Sequence, residues 1–263
     1  MTLFLHTVRL AVQQQITYRA ATFAGLATNF FFGLLRIAVL IALYRGESEV
    51  NGMTLQGAIT FVVLSQGLIT FLSIFGTFDI MNSVYSGAIA SDLLRPWSLY
   101  ANWMARDFGR ALANLVLRGL LLVAMIAPFY PMVIPSRLEQ WVGFILALLL
   151  GWQVSYAWRF LVNLASFWTP DARGFARLAY ILMQLLSGFI MPLRLYPNWF
   201  AELCKLTPFP ALFNTSIEAY LGLVSGTELW LALFNQMLWV IVLAALVQVV
   251  LRAGVRKLVI QGG

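Results

Sequence analysis

The twelve residues Ser86–Trp97, S-G-A-I-A-S-D-L-L-R-P-W, place an acid, a base and a proline between two long apolar runs. On a helix, Asp92 and Arg95 are neighbours on one face because they are three apart. Leu93 and Leu94 between them are suited to a hydrophobic groove on a partner. Pro96 disfavours helical conformation at Arg95 and sets where the element ends. Such a segment recognises; it makes and breaks no bonds. Other patterns that could carry bond chemistry are missing. A phosphate-cradling loop needs G-x-x-x-x-G-K-[ST], and the lysines Lys205 and Lys257 are each followed by leucine. The single histidine, His6, has no histidine companion for metal-assisted hydrolysis. No lysine lies in an apolar run to activate a serine. The one cysteine, Cys204, allows neither an intrachain disulfide nor a thiolate-rich metal site. The chain is expected to be no enzyme, with no catalytic residue, metal or cofactor of its own.

Polar groups inside the apolar runs are the second set. Arg36, Arg118 and Arg159 lie there, each at a cost of about 2.5–3.5 kcal/mol at a helix centre. Arg36 and Arg118 have two readings: a substrate path or subunit interface, or structural arginines bonded to nearby carbonyls. Arg159, about two turns from the end of its run, is expected to snorkel. Asn29, Gln66, Thr70, Asn114, Gln153, Gln184 and Gln236 read mainly as interhelical hydrogen bonds of about 0.6 kcal/mol each. Asn114, Gln153 and Gln184 also stand as candidates for a substrate path. All ten acids fall in connections or at the ends of runs. A titrating carboxylate within the membrane is therefore not expected, although backbone carbonyls can hold sodium.

These residues must be positioned by membrane helices. The chain has 263 residues, 61% hydrophobic and 10% charged, against roughly 25% charged in a soluble domain. Runs long enough to cross about 30 Å of hydrocarbon occur six times, near Ala20–Tyr44, Leu55–Phe78, Phe108–Tyr130, Trp141–Ala165, Gly174–Met191 and Leu229–Leu251. The net charge of +7 reports orientation, not nucleic acid, because basic residues stay on the cytoplasmic side. With the N-terminus inside, ten basic residues fall in inner segments (Arg9, Arg19, Arg95, Arg106, Arg110, Arg173, Arg177, Arg252, Arg256, Lys257) and four in outer ones (Arg45, Arg137, Arg194, Lys205). Both termini are thus expected in the cytoplasm.

Met1–Arg19 lacks a compact apolar core with a cleavage site. It reads as an interfacial helix, with His6, Arg9, Gln13 and Thr17 on one face and Phe4, Leu5, Val8, Val12 and Ile16 on the other. The connections at 79–107 and 166–173 are inner and charged. The outer connection at 192–228 is apolar but broken by Pro208, Pro210 and Gly222, so it is expected to be re-entrant. The expected fold is all-α: one polytopic domain over 1–263, six transmembrane helices, an N-terminal interfacial helix over 1–19, and a re-entrant segment before the last span.

The order of these segments resembles the type 2 exporter permeases of ATP-binding-cassette transporters, in their bacterial six-span subgroup. The likeness rests on S-G-A-I-A-S-D-L-L-R-P at Ser86–Pro96, S-F-W at Ser166–Trp168, G-F-I-M-P-L-R-L-Y-P-N-W at Gly188–Trp199, P-F at Pro208–Phe209 and the terminal V-I-Q-G-G. It implies an inner-membrane permease that pairs with a second copy or a sister permease and sits on separate ATPase subunits, which bring ATP and Mg. It also implies coupling helices within Asn82–Arg95 and around Phe167–Gly174, with Asp92, Leu93, Leu94, Arg95, Pro96, Phe167, Trp168 and Asp171 at the ATPase contact. An ion-coupled carrier and a non-transporting membrane assembly subunit remain open, as does the substrate.

Overall fold

The computed structural model describes residues 2–17, 19–169 and 171–257. Helix α1 (Thr2–Thr17) precedes α2 (Arg19–Tyr44). A two-residue hairpin, β1 (Glu49–Val50) against β2 (Met53–Thr54), leads into α3 (Leu55–Leu72). Thr54 starts α3 by accepting the Gly57 N–H at 3.1 Å, the usual side-chain cap for an orphan amide. Ser73, in the left-handed region at φ 48°, stops it. Two short helices follow, α4 (Asp79–Tyr85) and α5 (Ile89–Leu93). Helix α6 (Leu99–Asn114) then runs through a π-helical turn, Leu115–Leu120, into α7 (Leu121–Ile126) as one rod. The rest comprises α8 (Leu138–Asn163), α9 (Arg173–Leu186), α10 (Asn198–Lys205), α11 (Asn214–Leu221) and α12 (Gly226–Val255).

Among the described residues, five helical segments are long and apolar enough to cross a membrane: Thr22–Tyr44, Leu55–Leu72, Leu99–Ile126, Leu138–Phe167 and Gly226–Val255. The third begins at Leu99, not Phe108, so Asp107 lies within a helix and not in a connection. The run expected at Gly174–Met191 forms only the 14-residue α9, about 21 Å long at 1.5 Å per residue. Its ends nevertheless lie at opposite ends of the bundle. At one end, the Arg173 guanidinium donates to Asn82 Oδ1 at 3.0 Å. At the other, Asn51 Nδ2 donates to the Arg194 carbonyl at 3.0 Å. The fifth pass is therefore α9 plus the non-helical chain that follows it.

Contacts sort the connections into the two ends that six passes require. The Phe4 and Trp97 rings meet at 6.5 Å. Gly254, near the end of α12, lies so close to Phe167 that a Cβ would be 2.7 Å from that ring. These join α1, both charged connections and the end of α12 at one end. At the opposite end Thr60 Oγ1 accepts the Val133 N–H at 2.9 Å, and Glu139 accepts the Gly226 N–H at 2.7 Å. Helix α3 is enclosed along nearly its whole length. By contrast, α2 and α12 show broad apolar surfaces, among them Phe31, Leu35, Phe234 and Ile241, as lipid-facing helices do.

The 192–228 connection folds back into the bundle. Gln236 Nε2 donates to the carbonyls of Ala147 (3.1 Å) and Ala211 (2.8 Å). The Ala211 carbonyl approaches Gly151 so closely that a Cβ there would lie 2.5 Å from it. Gly151 is thirteen residues into α8, about 20 Å from its start. Phe209 packs on Trp158 at 5.0 Å, deeper still. Helix α11 then returns the chain to Gly222, in the left-handed region at φ 71°. Gln140 occupies the space that a Cβ on Gly222 would need.

Candidate functional site

The end holding both charged connections is built from turns that need particular residues. Gly76 adopts φ 77°, and the Tyr180 ring fills the place of its missing side chain. Asn163 then ties the chain down. Its Nδ2 donates to the Thr77 carbonyl at 2.8 Å and its Oδ1 accepts the Met81 N–H at 3.2 Å. Tyr180 Oη donates to the same Thr77 carbonyl at 2.9 Å. A second turn at Gly87 (φ 73°) separates α4 from α5. The expected coupling helix over Asn82–Arg95 is thus two short helices with a glycine corner.

The two connections are joined. Tyr85 Oη accepts the Ala172 N–H at 3.1 Å, and Arg173 lies over the Tyr85 ring at 5.3 Å. Asp171 Oδ1 accepts the Arg173 N–H at 3.1 Å, satisfying an amide at the start of α9. They therefore present one surface.

The expected contact residues are not all on that surface. Leu94 is 85% exposed and Trp168 47%, and Arg95, Pro96 and Asp171 are exposed. Asp92 is turned inward, which corrects its place in an outward-facing Asp/Arg pair. Its Oδ1 accepts from Arg106 at 3.2 Å and Asn102 at 3.4 Å, and pairs with Arg95 at 3.4 Å. Leu93 is half-buried against the core, and Phe167 is buried. The leucine pair thus divides: Leu93 anchors α5 and Leu94 is displayed.

Behind this surface lies an arrangement that sequence reasoning missed. Arg159 is fully buried and grips Asp107 bidentately, Nη1 to Oδ1 at 2.7 Å and Nη2 to Oδ2 at 2.8 Å. Trp152 Nε1 also donates to Asp107 at 3.0 Å, and Arg110 spans Asp107 and Asp79. Snorkelling of Arg159 is therefore overturned: its charge is met by a carboxylate on the neighbouring helix, not by the membrane surface. Such forked pairs are strong and directional. The available signal was Asp107 and Arg110, three apart at the start of a span, with an arginine near the matching end of the next.

The remaining candidates do not converge. Arg36 donates to the carbonyls of Phe189 and Ile190, capping the non-helical chain beyond α9, while its Nη1 is buried without a partner. Asn114 accepts from Gln15 of α1 at 3.1 Å. Gln184 donates to the Tyr180 carbonyl one turn back at 3.2 Å. Gln153 is half-buried on α8. Arg118 lies against Gly25 of α2. Cys204 is buried, and burial pushes its thiol up, away from the reactive thiolate. Among the described residues no group of three or more potential ligands could hold a metal.

A bundle of long apolar helices with two linked, charged connections at one end is the setting in which family membership becomes informative. The sequence model of the ABC-2 family transporter protein matches residues 30–262. The chain belongs to the ABC-2 transporter family. No curated protein matches it. As an ABC-2 protein it is a multi-pass membrane component of a transport system. The terminal V-I-Q-G-G, Val259–Gly263, lies outside the described residues.

Proposed function

We propose that this ABC-2 protein is the permease subunit of an ATP-driven exporter in the bacterial inner membrane, paired with a second permease and resting on separate ATPase subunits that bind ATP and Mg. The observation that carries this reading is the display of Leu94 and Trp168 at the end where the two connections lock together. Apolar side chains displayed among charged ones at this end are suited to a partner's groove. A push there would pass through α4 and α5 to Asn102 and Arg106 on α6, and through Asp171 and Arg173 to α9. The basic residues gathered at this end support its placement in the cytoplasm, with both termini inside. Helix α1 then lies at the inner interface, and α10–α11 form a re-entrant hairpin from outside, its Ala211 carbonyl met by Gln236.

The test co-expresses the chain with candidate ATP-binding-cassette ATPase subunits from the same genome and measures ATP-dependent extrusion together with ATPase co-purification. Leu94→Asp should lower both at least tenfold while the permease still inserts, because a buried charge opposes docking by more than about 1.4 kcal/mol. Full retention of both would remove this surface from the ATPase contact. Transport driven by an ion gradient without nucleotide would instead make the chain a secondary carrier. A complex that hydrolyses ATP but moves no substrate would make it an assembly subunit.

A further inference from the structure

Along the rod formed by α6 and α7, Asn102, Arg106, Arg110, Asn114 and Arg118 recur every fourth residue, so each neighbours the next and the row winds slowly around the rod. The first four of this row border two cavities. One, of about 640 Å³, is lined by Gln14 of α1 together with Asp79, Arg95, Arg106 and Arg110. The other, of about 250 Å³, is lined by Arg110, Asn114, Gln15 and Thr70. Arg110 borders both, so they adjoin as a polar trough that reaches Asn114, one turn short of Arg118. Gly109 lets α1 roof it: a Cβ there would lie 2.7 Å from Ala11 Cβ.

Charge along the trough is uneven. Asp92 serves Arg95 and Arg106, while Asp79 and Asp107 serve Arg110. Beyond Arg110 no carboxylate follows. Among the described residues Arg118 has no ion pair or hydrogen bond, and its Nε is buried without a partner, as is the hydroxyl of Thr70. A guanidinium stays charged, and within a span it is expected to pair. The guanidinium lies beside Gly25, six residues into α2, about 9 Å from its start. That is inside one leaflet, within reach of its headgroup layer. Phe23 on α2 and Val116 and Leu120 on the rod expose apolar side chains from other faces of the same helices.

We propose that Arg118, with Asn114 one turn before it, binds the anionic headgroup of a membrane amphiphile beside the inner end of the trough, the hydrocarbon chains staying in the lipid along α2 and the rod. The chemistry required is a phosphate group on a hydrocarbon anchor, whether from a bilayer phospholipid or a transported amphiphile. The site needs no ATPase, so its failure would leave the permease reading untouched.

The test uses the full chain alone in nanodiscs with spin-labelled phosphatidylglycerol or phosphatidylcholine, and measures the motionally restricted fraction of each. Phosphatidylglycerol should be favoured about fivefold, the effect of one arginine near an anionic headgroup. Arg118→Gln, which keeps hydrogen-bonding capacity but not charge, should abolish the preference, and Arg118→Lys should restore most of it. If Arg118→Gln fails to insert, Asn114→Leu, expected to weaken the preference, carries the same comparison. Dodecyl phosphate added as a competitor should displace the labelled lipid, and inorganic phosphate at the same concentration should not. Equal displacement by inorganic phosphate would make this a free-anion site and overturn the amphiphile. A preference that is missing, or that survives Arg118→Gln, would overturn the site.

Discussion

At the scale of single residues, the Asp107–Arg159 pair decides how the inner half of the bundle is held. Both charges are buried, and each carboxylate oxygen of Asp107 takes one guanidinium nitrogen. Taking two ions out of water is expensive, so the pair is a poor source of net stability but a costly thing to break. Arg159→Leu should therefore lower stability by about 3–5 kcal/mol, because it strands a buried carboxylate. The double replacement Asp107→Leu with Arg159→Leu should recover most of that loss, leaving only the unmet Trp152 N–H and the weakened hold on Arg110. Denaturant unfolding in detergent of the two single variants and the double one checks this. Additive losses would mean that the two side chains do not act as a unit. The same pair explains what was hidden in the sequence. Charged Asp107 and Arg110 make the stretch before Phe108 look like a loop, since hydropathy registers a charge but not its partner on another helix. Arg36 was hidden for a related reason, as its acceptors are carbonyls some 150 positions away.

At the scale of elements, the rod of α6 and α7 owes its contact with α3 to two glycines. Gly67 and Gly119 face each other, and a Cβ on Gly119 would lie 2.6 Å from the Gly67 carbonyl oxygen, a backbone atom that cannot swing aside. Small residues at helix crossings let backbones approach where there is no hydrophobic drive between helices in lipid. Gly119→Val should push α3 from the rod and cost about 1–3 kcal/mol of overpacking, read as a lowered unfolding midpoint in detergent. Gly174→Ala is the internal control and should be neutral, because a side chain there meets nothing within 4 Å. Gly119 also lies in the π-helical turn, which no periodicity in the sequence announces. Elements set by composition were legible: the long apolar helices, α1, and the broken segment before α12. Elements set by neighbours were not. The turn after Gly76 depends on Asn163 and Tyr180, 86 and 103 positions from the Thr77 carbonyl they bind, and the early start of α6 at Leu99 is held by a bond from Asn102 back to the buried Asp92.

At the scale of the whole molecule, the unusual step is a pass made with a helix too short to span. From Arg173 to Arg194 the chain travels between the two ends, although α9 supplies only 14 residues of it. Non-helical backbone in a membrane must have its polar groups met from within the protein. Here Arg36 meets the carbonyls of Phe189 and Ile190, and Asn214 Oδ1 accepts the Leu193 N–H at 3.1 Å. The pass is thus affordable only because α2 and α11 complete it. Its sidedness is testable, since the sole cysteine, Cys204, is fully buried and gives a silent background. Thr169 and Ser225 are exposed and flank the α9–α11 region. With the basic end inside, Ser225→Cys should react with a membrane-impermeant maleimide on intact cells, and Thr169→Cys only after permeabilisation. The opposite pattern would invert the molecule and detach the charged end from any cytoplasmic ATPase. Labelling of both from one side would mean that the short helix and its capped extension do not carry the chain across.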